Sequence, residues 1–186
     1  MKLNRRDLIW IFPSAITAGF FGWLGWRTVY IQLLKTGVGA PVWKDGPKVQ
    51  VASVAKLSTP WKFKYFRYPY AGGSLRAVVF SLPKAVPGGL SVDDKHFLAL
   101  SRICTHLGCT VNFVDNPELG AIAYNHRTDH PFLGCPCHFG AYDPLQAGKA
   151  VYGPPRYPLP RLRLEAQGQE LYVTGHEVPL RPLEES

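Results

Sequence analysis

Three patterns of apolar and polar positions succeed one another along the chain. Leu8 to Trp26 (LIWIFPSAITAGFFGWLGW) runs nineteen residues without a charged side chain. As a helix it would be ~28 Å long, about the hydrocarbon thickness of a bilayer. Pro13 falls near its start, where missing backbone bonds cost least. Trp23, Trp26 and Tyr30 suit the far interface, with Arg27 reaching the headgroups. Residues 1–35 are therefore expected to be a transmembrane anchor. A cleaved secretory signal would need a small-x-small site after a short apolar core, and none is evident. A buried core helix is the other alternative. Residues 36–47, in the stretch KTGVGAPVWKDGP, hold three glycines and two prolines without a helical period. They read as a flexible linker, with an ordinary ordered loop as the alternative.

Beyond the linker the period is that of strands. Lys48–Val54 alternates, Trp61–Tyr68 alternates aromatic with basic, and Arg76–Leu82 and His96–Ile103 are rich in β-formers. Gly72-Gly73 and Pro87-Gly88-Gly89 are turn signals. Arg161–Glu165 and Glu170–Thr174 flank Ala-Gln-Gly-Gln, the pattern of a hairpin with one apolar face. Residues 48–186 are expected to form one all-β domain.

Charge changes this picture at the N-terminus. The net charge is +8. Through Lys35 there are five Lys/Arg against one Asp, and the remainder of the chain carries the other half of the excess. The leading cluster suits the positive-inside rule, and no basic run with interleaved aromatics lies near the cysteines to suggest nucleic acid. Arg5-Arg6, just before the apolar run, resembles a twin-arginine export signal. Either reading puts the N-terminus inside and the bulk of the chain outside.

All four cysteines fall in two short stretches, Cys104-Thr-His106-Leu107-Gly-Cys109 and Cys135-Pro-Cys137-His138. Cys104-x-His106 and Cys135-x2-His138 each place a thiolate and an imidazole on a tight loop. Two Cys and two His are what a [2Fe–2S] centre with mixed ligation requires. Neutral imidazoles on one iron lift its potential to about −150 to +300 mV, a range suited to oxidising a quinol. A structural zinc site also satisfies the spacing but leaves Thr-x-Leu-Gly unexplained. Two disulfides would leave both histidines idle.

With C-T-H-L-G-C followed by C-P-C-H, the chain resembles a Rieske iron–sulfur protein of a cytochrome bc-type complex. The resemblance extends over the anchor, the linker, the cluster loops (about 101–160) and Gly153-Pro-Pro-Arg-Tyr-Pro158, which is similar to the family's proline loop. It implies stacked antiparallel sheets with a cluster-binding subdomain, plus one N-terminal transmembrane helix. It implies that Cys104 and Cys135 ligate the inner iron, and His106 and His138 the outer iron. By the same resemblance, Leu107 shields the cluster, Tyr142 hydrogen-bonds a ligand sulfur, and Cys109 and Cys137 form a disulfide between the loops. Such a bridge agrees with an oxidising compartment.

The function the resemblance implies is proton-coupled electron transfer from a membrane quinol, with His138 and its neighbour His106 as the reactive pair. The electron passes to a c-type cytochrome. A cytochrome b-type subunit and the lipid bilayer are further partners, within a dimeric complex. The implied location is the inner membrane, single-pass, with the N-terminus cytoplasmic and the Rieske domain on the periplasmic face. The alternative is the Rieske small subunit of another exported redox enzyme, such as arsenite oxidase.

Two departures stand out. Gly140 occupies the place where bc-type members usually carry a serine that donates to a bridging sulfide. The Cys109-to-Cys135 separation is also long for the family. The excess is expected over 115–131 as a surface loop with His126 and His130 solvated, a second metal site being the alternative.

Overall fold

The computed structural model describes residues 5–33, 37–70 and 73–178, without the side chains of 5–10 and 30–33. Two compact units divide the chain, Met1–Lys35 and Thr36–Ser186. In the first, helix α1 spans Arg5–Leu33 and continues through Pro13. Pro13's carbonyl accepts the Thr17 hydroxyl at 2.8 Å. Ile11, Phe12, Ile16, Phe20, Phe21, Trp23 and Trp26 are all exposed, and the Arg27 guanidinium lies 5.4 Å from the Trp23 ring centre. Among the described residues, no helix is long and apolar enough to cross a membrane. The side chains of Arg5, Arg6, Leu8, Ile9, Trp10 and Tyr30 lie outside the described residues, as does Gly72.

The second unit is built on antiparallel strands: β1 (Trp43–Ser53), β2 (Phe63–Tyr70), β3 (Gly73–Leu82), β4 (Leu90–Val92) and β5 (Lys95–Ser101), then β10 (Arg161–Gln167) and β11 (Glu170–Glu177). These make a seven-stranded sheet in the order β1-β11-β10-β5-β3-β2, with β4 beside β5. Between β5 and β10 the chain inserts a four-stranded sheet, β6 (Asn112–Val114), β7 (Phe132–Cys135), β8 (Gly140–Asp143) and β9 (Lys149–Tyr152). Strand β3 explains why the sequence alternates poorly there. Ala77 and Val79 pack into one core with Val51, Phe97 and Leu162, while Val78 and Phe80 face a second core with Leu100, Leu133 and Tyr142. A strand buried on both faces loses its polar alternation.

The linker differs from expectation. β1 starts at Trp43, so residues 43–47 lie within a strand, with Trp43 opposite Glu177 and Asp45 opposite Gly175. Asp45 also pairs with Arg163 at 2.7 Å. Ahead of β1, the Val42 carbonyl accepts the Val178 N–H at 2.9 Å, and the Gly39 carbonyl accepts Arg161 Nη2 at 2.9 Å. Arg161 is fully buried. Its Nε and Nη2 grip Glu177 at 2.8 and 2.5 Å, and Nη1 reaches the Pro87 carbonyl at 3.0 Å. A glycine sits at 88 because any Cβ there would lie 2.8 Å from the Arg161 side chain, at a φ of +77°.

The insertion differs too. It holds helix α2 (Pro117–Tyr124), whose N-cap Asn116 accepts the Glu118 and Leu119 N–H groups at 3.0 and 3.1 Å. Gly120 allows close approach, since a Cβ would stand 2.5 Å from the Phe132 ring. The histidines are packed rather than solvated. His126 stacks on Tyr152 at 5.6 Å. His130 stacks on Trp61 at 5.9 Å, and its ring nitrogens meet Asp129 at 2.6 Å and Asp143 at 3.0 Å. A loop of this length folded back on the body has to satisfy its polar groups, and these contacts do so.

Burial alone would lower the His130 pKa, but its hydrogen bonds to Asp129 and Asp143 outweigh burial and raise it. A raised folded-state pKa adds stability that is fully present below the unfolded value and lost as pH rises through the folded value. The melting-temperature advantage of the natural chain over His130→Phe is therefore expected to be larger at pH 6 than at pH 9. An advantage that grows toward pH 9 would overturn the assignment.

Candidate metal centre

Three loops form one end of the small sheet. The first runs from Cys104 to Cys109. It is closed by Cys104 N–H to the Cys109 carbonyl at 2.8 Å, Gly108 N–H to the Cys104 carbonyl at 2.9 Å, and a bridge between Ile103 and Thr110. Gly108 takes a φ of 80°, which a side chain would disfavour. The second loop joins β7 to β8 and carries Cys137, His138 and Phe139. The third, from Gly153 to Pro158, leaves β9.

The loops are mutually fastened. Cys109 and Cys137 are disulfide-bonded across 28 positions. Closing a loop of that length limits the unfolded chain by about 3–4 kcal/mol. Thr105 Oγ1 donates to the Tyr157 carbonyl at 2.7 Å, tying the first loop to the third. A Cβ at Gly140 would lie 2.6 Å from Pro155 Cγ, and one at Gly153 2.8 Å from Gly140 Cα, so the second and third loops touch. Pro155 falls in the expected proline loop, whereas the sequence assigns no role to Thr105. The only signal for Thr105 was its place inside the Cys-x-His turn.

Cys104 and Cys135 are free and buried. Burial pushes the Cys135 thiol up to about 11, and its hydrogen bond with Cys104 pushes the same way. The Tyr142 hydroxyl lies 3.2 Å from Cys104 Sγ and accepts the Thr105 N–H at 3.0 Å. Burial, then the neighbouring Cys104, raises the Tyr142 pKa, so the phenol keeps its proton and is able to donate to Cys104 Sγ or to Thr105 Oγ1, 3.1 Å away. The His106 and His138 rings stand edge to face with centres 4.9 Å apart. His106 Nδ1 is buried without a hydrogen-bond partner, and burial followed by His138 lowers its pKa. His138 is exposed.

This donor set fits a cationic metal group. Two adjacent buried thiols, that of Cys135 held protonated by burial, lack a positive charge that would hold them as thiolates, and a neutral imidazole offers a lone pair that nothing takes. Cys109, Cys135 and Cys137 place their sulfurs within 4.8 Å of one another. Two of these three are the disulfide, so Cys135 alone of that group is available as a ligand. Among the described residues, no such group of three forms in the insertion, and the second metal site considered there is not built.

A β-domain whose fastened loops gather Cys and His donors at one end has the donor set of a metalloprotein. Residues 75–163 match the family model of the Rieske [2Fe–2S] domain, so this part of the chain is a Rieske [2Fe–2S] domain. Over 132 residues (70% of this chain, 61% of the relative) it is 29% identical to the iodate reductase subunit of a Pseudomonas species. Over 83 residues (44% of this chain, 42% of the relative) it is 39% identical to the menaquinol:cytochrome c reductase iron–sulfur subunit of Geobacillus thermodenitrificans. The chain thus spans less than two thirds of the length of these relatives. The fold is shared with the soluble domain of Rieske protein II from Sulfolobus acidocaldarius, with a TM-score of 0.51 at 21% identity over 70% of this chain and 78% of that one.

Proposed function

We propose that this chain is a membrane-anchored Rieske electron carrier that oxidises quinol in a cytochrome bc-type complex and serves a c-type cytochrome. Cys104 and Cys135 would hold the inner iron and His106 and His138 the outer iron. The cluster, when bound, supplies one-electron redox chemistry in the range of about −150 to +300 mV. The observation that carries the reading is the character of the loop tips. His138 is exposed, and the large side chains Leu107, Phe139 and Tyr157 on the three loops are 68%, 54% and 45% exposed. An imidazole among apolar tips suits a hydrophobic quinol. His138 accepts the hydrogen bond of the quinol hydroxyl and takes its proton, Leu107 keeps water from the buried thiolates, and Tyr142 donates to Cys104. Leu8 to Trp26 holds the chain in the inner membrane with the domain on the periplasmic face. The head is tethered through the residues ahead of β1.

A second reading has its own support. One match that covers 70% of the chain is to an iodate reductase subunit, which favours a Rieske subunit of another exported oxidoreductase, of the kind exemplified by arsenite oxidase, where no quinol is touched. Purifying the full chain with its partners from membranes separates the two. The quinol reading expects a b-type haem subunit to co-purify and added quinol to bleach the cluster. An intact cluster that ignores quinol, with no b-type haem present, would establish the second reading.

Gly140 bears on the potential. A hydrogen bond to a cluster sulfur stabilises the more negative reduced state, so a chain without the serine donor is expected to sit at a lower potential than members that have it. Gly140→Ser alone does not isolate that effect, because any Cβ at 140 meets Pro155. Both Gly140→Ala and Gly140→Ser are expected to lose about 1–3 kcal/mol from overpacking. In redox titrations the serine variant is expected at a higher midpoint than the alanine variant. Equal midpoints would refute the missing-donor account.

A further inference from the structure

Three arginines lie in one row across adjacent strands. Arg67 on β2 is the direct partner of Arg76 on β3. Arg76 in turn neighbours Arg102 just past β5, since Ala77 pairs with Ser101 and the Arg102 N–H donates to the Arg76 carbonyl at 2.8 Å. Directly opposed residues project from the same face of a sheet, and like charges so placed repel. Among the described residues, none of the three forms an ion pair with a carboxylate. Arg67 reaches only Ser74 Oγ, at 3.4 Å. Arg102 is held by the Val111 carbonyl at 2.8 Å and Asn112 Oδ1 at 2.7 Å, with its guanidinium 3.6 Å over the Tyr65 ring. Arg67 and Arg76 are exposed.

The row is continued along β2 by aromatic surface. Phe63 and Tyr65 share the face of Arg67 at two-residue spacing and are 39% and 40% exposed. Arginine beside exposed tyrosine and phenylalanine is the composition of a protein-binding surface. Phe63 packs on Phe113 at 4.8 Å and the Tyr65 hydroxyl accepts the Phe113 N–H at 3.0 Å, yet both rings keep an exposed face that a lipid headgroup or a free oxyanion would leave uncovered. A flat row at strand spacing spans ~10 Å, wider than one oxyanion. Its place matters as well. Arg102 is two residues before Cys104, and its side chain braces the stem of the first cluster loop.

We infer that Arg67, Arg76 and Arg102, with Phe63 and Tyr65, form a docking surface for an acidic face of the protein with which this domain exchanges electrons. The identity of that partner as a redox protein rests on the electron-carrier reading above. Charge complementarity would speed the encounter and hold the partner beside the cluster loops.

The test uses the full chain in detergent and a fluorescent twenty-residue polyglutamate as probe, with Arg67→Glu and Arg76→Glu compared against Lys56→Glu and Lys95→Glu on other surfaces. Either arginine reversal is expected to weaken binding at least tenfold, and either lysine reversal less than twofold. Equal losses at all four positions would overturn the proposal, as would retention of phosphatidylglycerol vesicles that is lost with Arg76→Glu while polyglutamate binding is unchanged. Competition by millimolar inorganic phosphate that abolishes probe binding would show a simple oxyanion site and overturn it too. In membranes, Arg76→Glu is expected to slow reoxidation of the cluster at least fivefold at low salt, with its spectrum intact, and an unchanged rate would refute a role in electron exchange. A natural chain without any iron–sulfur spectrum would instead defeat the electron-carrier reading, while the binding comparison still decides whether the surface takes acidic protein.

Discussion

Exchange of His106 for alanine in the full chain is expected to abolish visible absorption and the reduced-state EPR signal together, and Cys135→Ser to do the same. His126→Ala is expected to leave both intact. The reason is the chemistry of the donors. His106 Nδ1 is buried with no partner to compensate it, and Cys135 is a buried thiol whose only sulfur neighbour outside the disulfide is Cys104. On the proposed ligand set, removing either leaves three donors, too few for a cluster with two ligands on each iron. His126 packs on Tyr152 and Phe132 in the insertion, so its loss trims an aromatic contact and no ligand. A zinc site would show neither band nor signal in the natural chain, and retention of the signal in His106→Ala would remove that histidine from the ligand set.

The second large effect is expected at Arg161, where exchange for methionine should destabilise the domain by about 3–5 kcal/mol, the scale for breaking a buried ion pair from one side. The guanidinium satisfies the Glu177 carboxylate and the carbonyls of Pro87 and Gly39 at once. Methionine fills the space but returns none of those bonds, and Glu177 is left with a charge that water reaches poorly. At ~2–4 °C per kcal/mol for a domain of this size, the thermal midpoint should fall by about 6–20 °C. Pairing the change with Glu177→Gln should recover part of the loss. A double variant less stable than Arg161→Met would show that the carboxylate was not the group left stranded.

The two cysteine loops stood out because their residue types and spacings answer to one chemistry; the structure pairs the Cys104 and Cys135 thiols and, separately, sets the His106 and His138 rings 4.9 Å apart. The strands were legible wherever one face was wet. β11 and β10 appear as the expected hairpin, with Leu164 opposite Val173 and Glu165 opposite Tyr172. The start of β1 was not legible, since Gly46-Pro47 reads locally as a break and the pairing of Trp43 depends on Glu177 at the far end of the chain. The register shift between Asp45 and Val49 absorbs that break. The packing of His130 was hidden for the same reason, because Trp61 and Asp143 are remote in sequence. Helix α2 did leave a signal, an Asn-Pro cap before Glu118, but eight residues inside a long loop carry too little periodicity to stand out. Arg161 gave no sign at all, because an arginine in an alternating strand reads as a solvated one.

Strand β8 is only four residues long, and all four are buried. Its alternation sends Gly140 and Tyr142 toward the third loop and Cys104, and Asp143 the other way to His130 and the short turn whose Leu145 N–H it accepts at 2.7 Å. Strand β8 thus links the insertion to the metal loops, and an excursion that frees one is expected to shift the other. Thermal motion in this part of the molecule should come as a single cooperative event, a foldon in which the insertion acts as the latch on the cluster's housing.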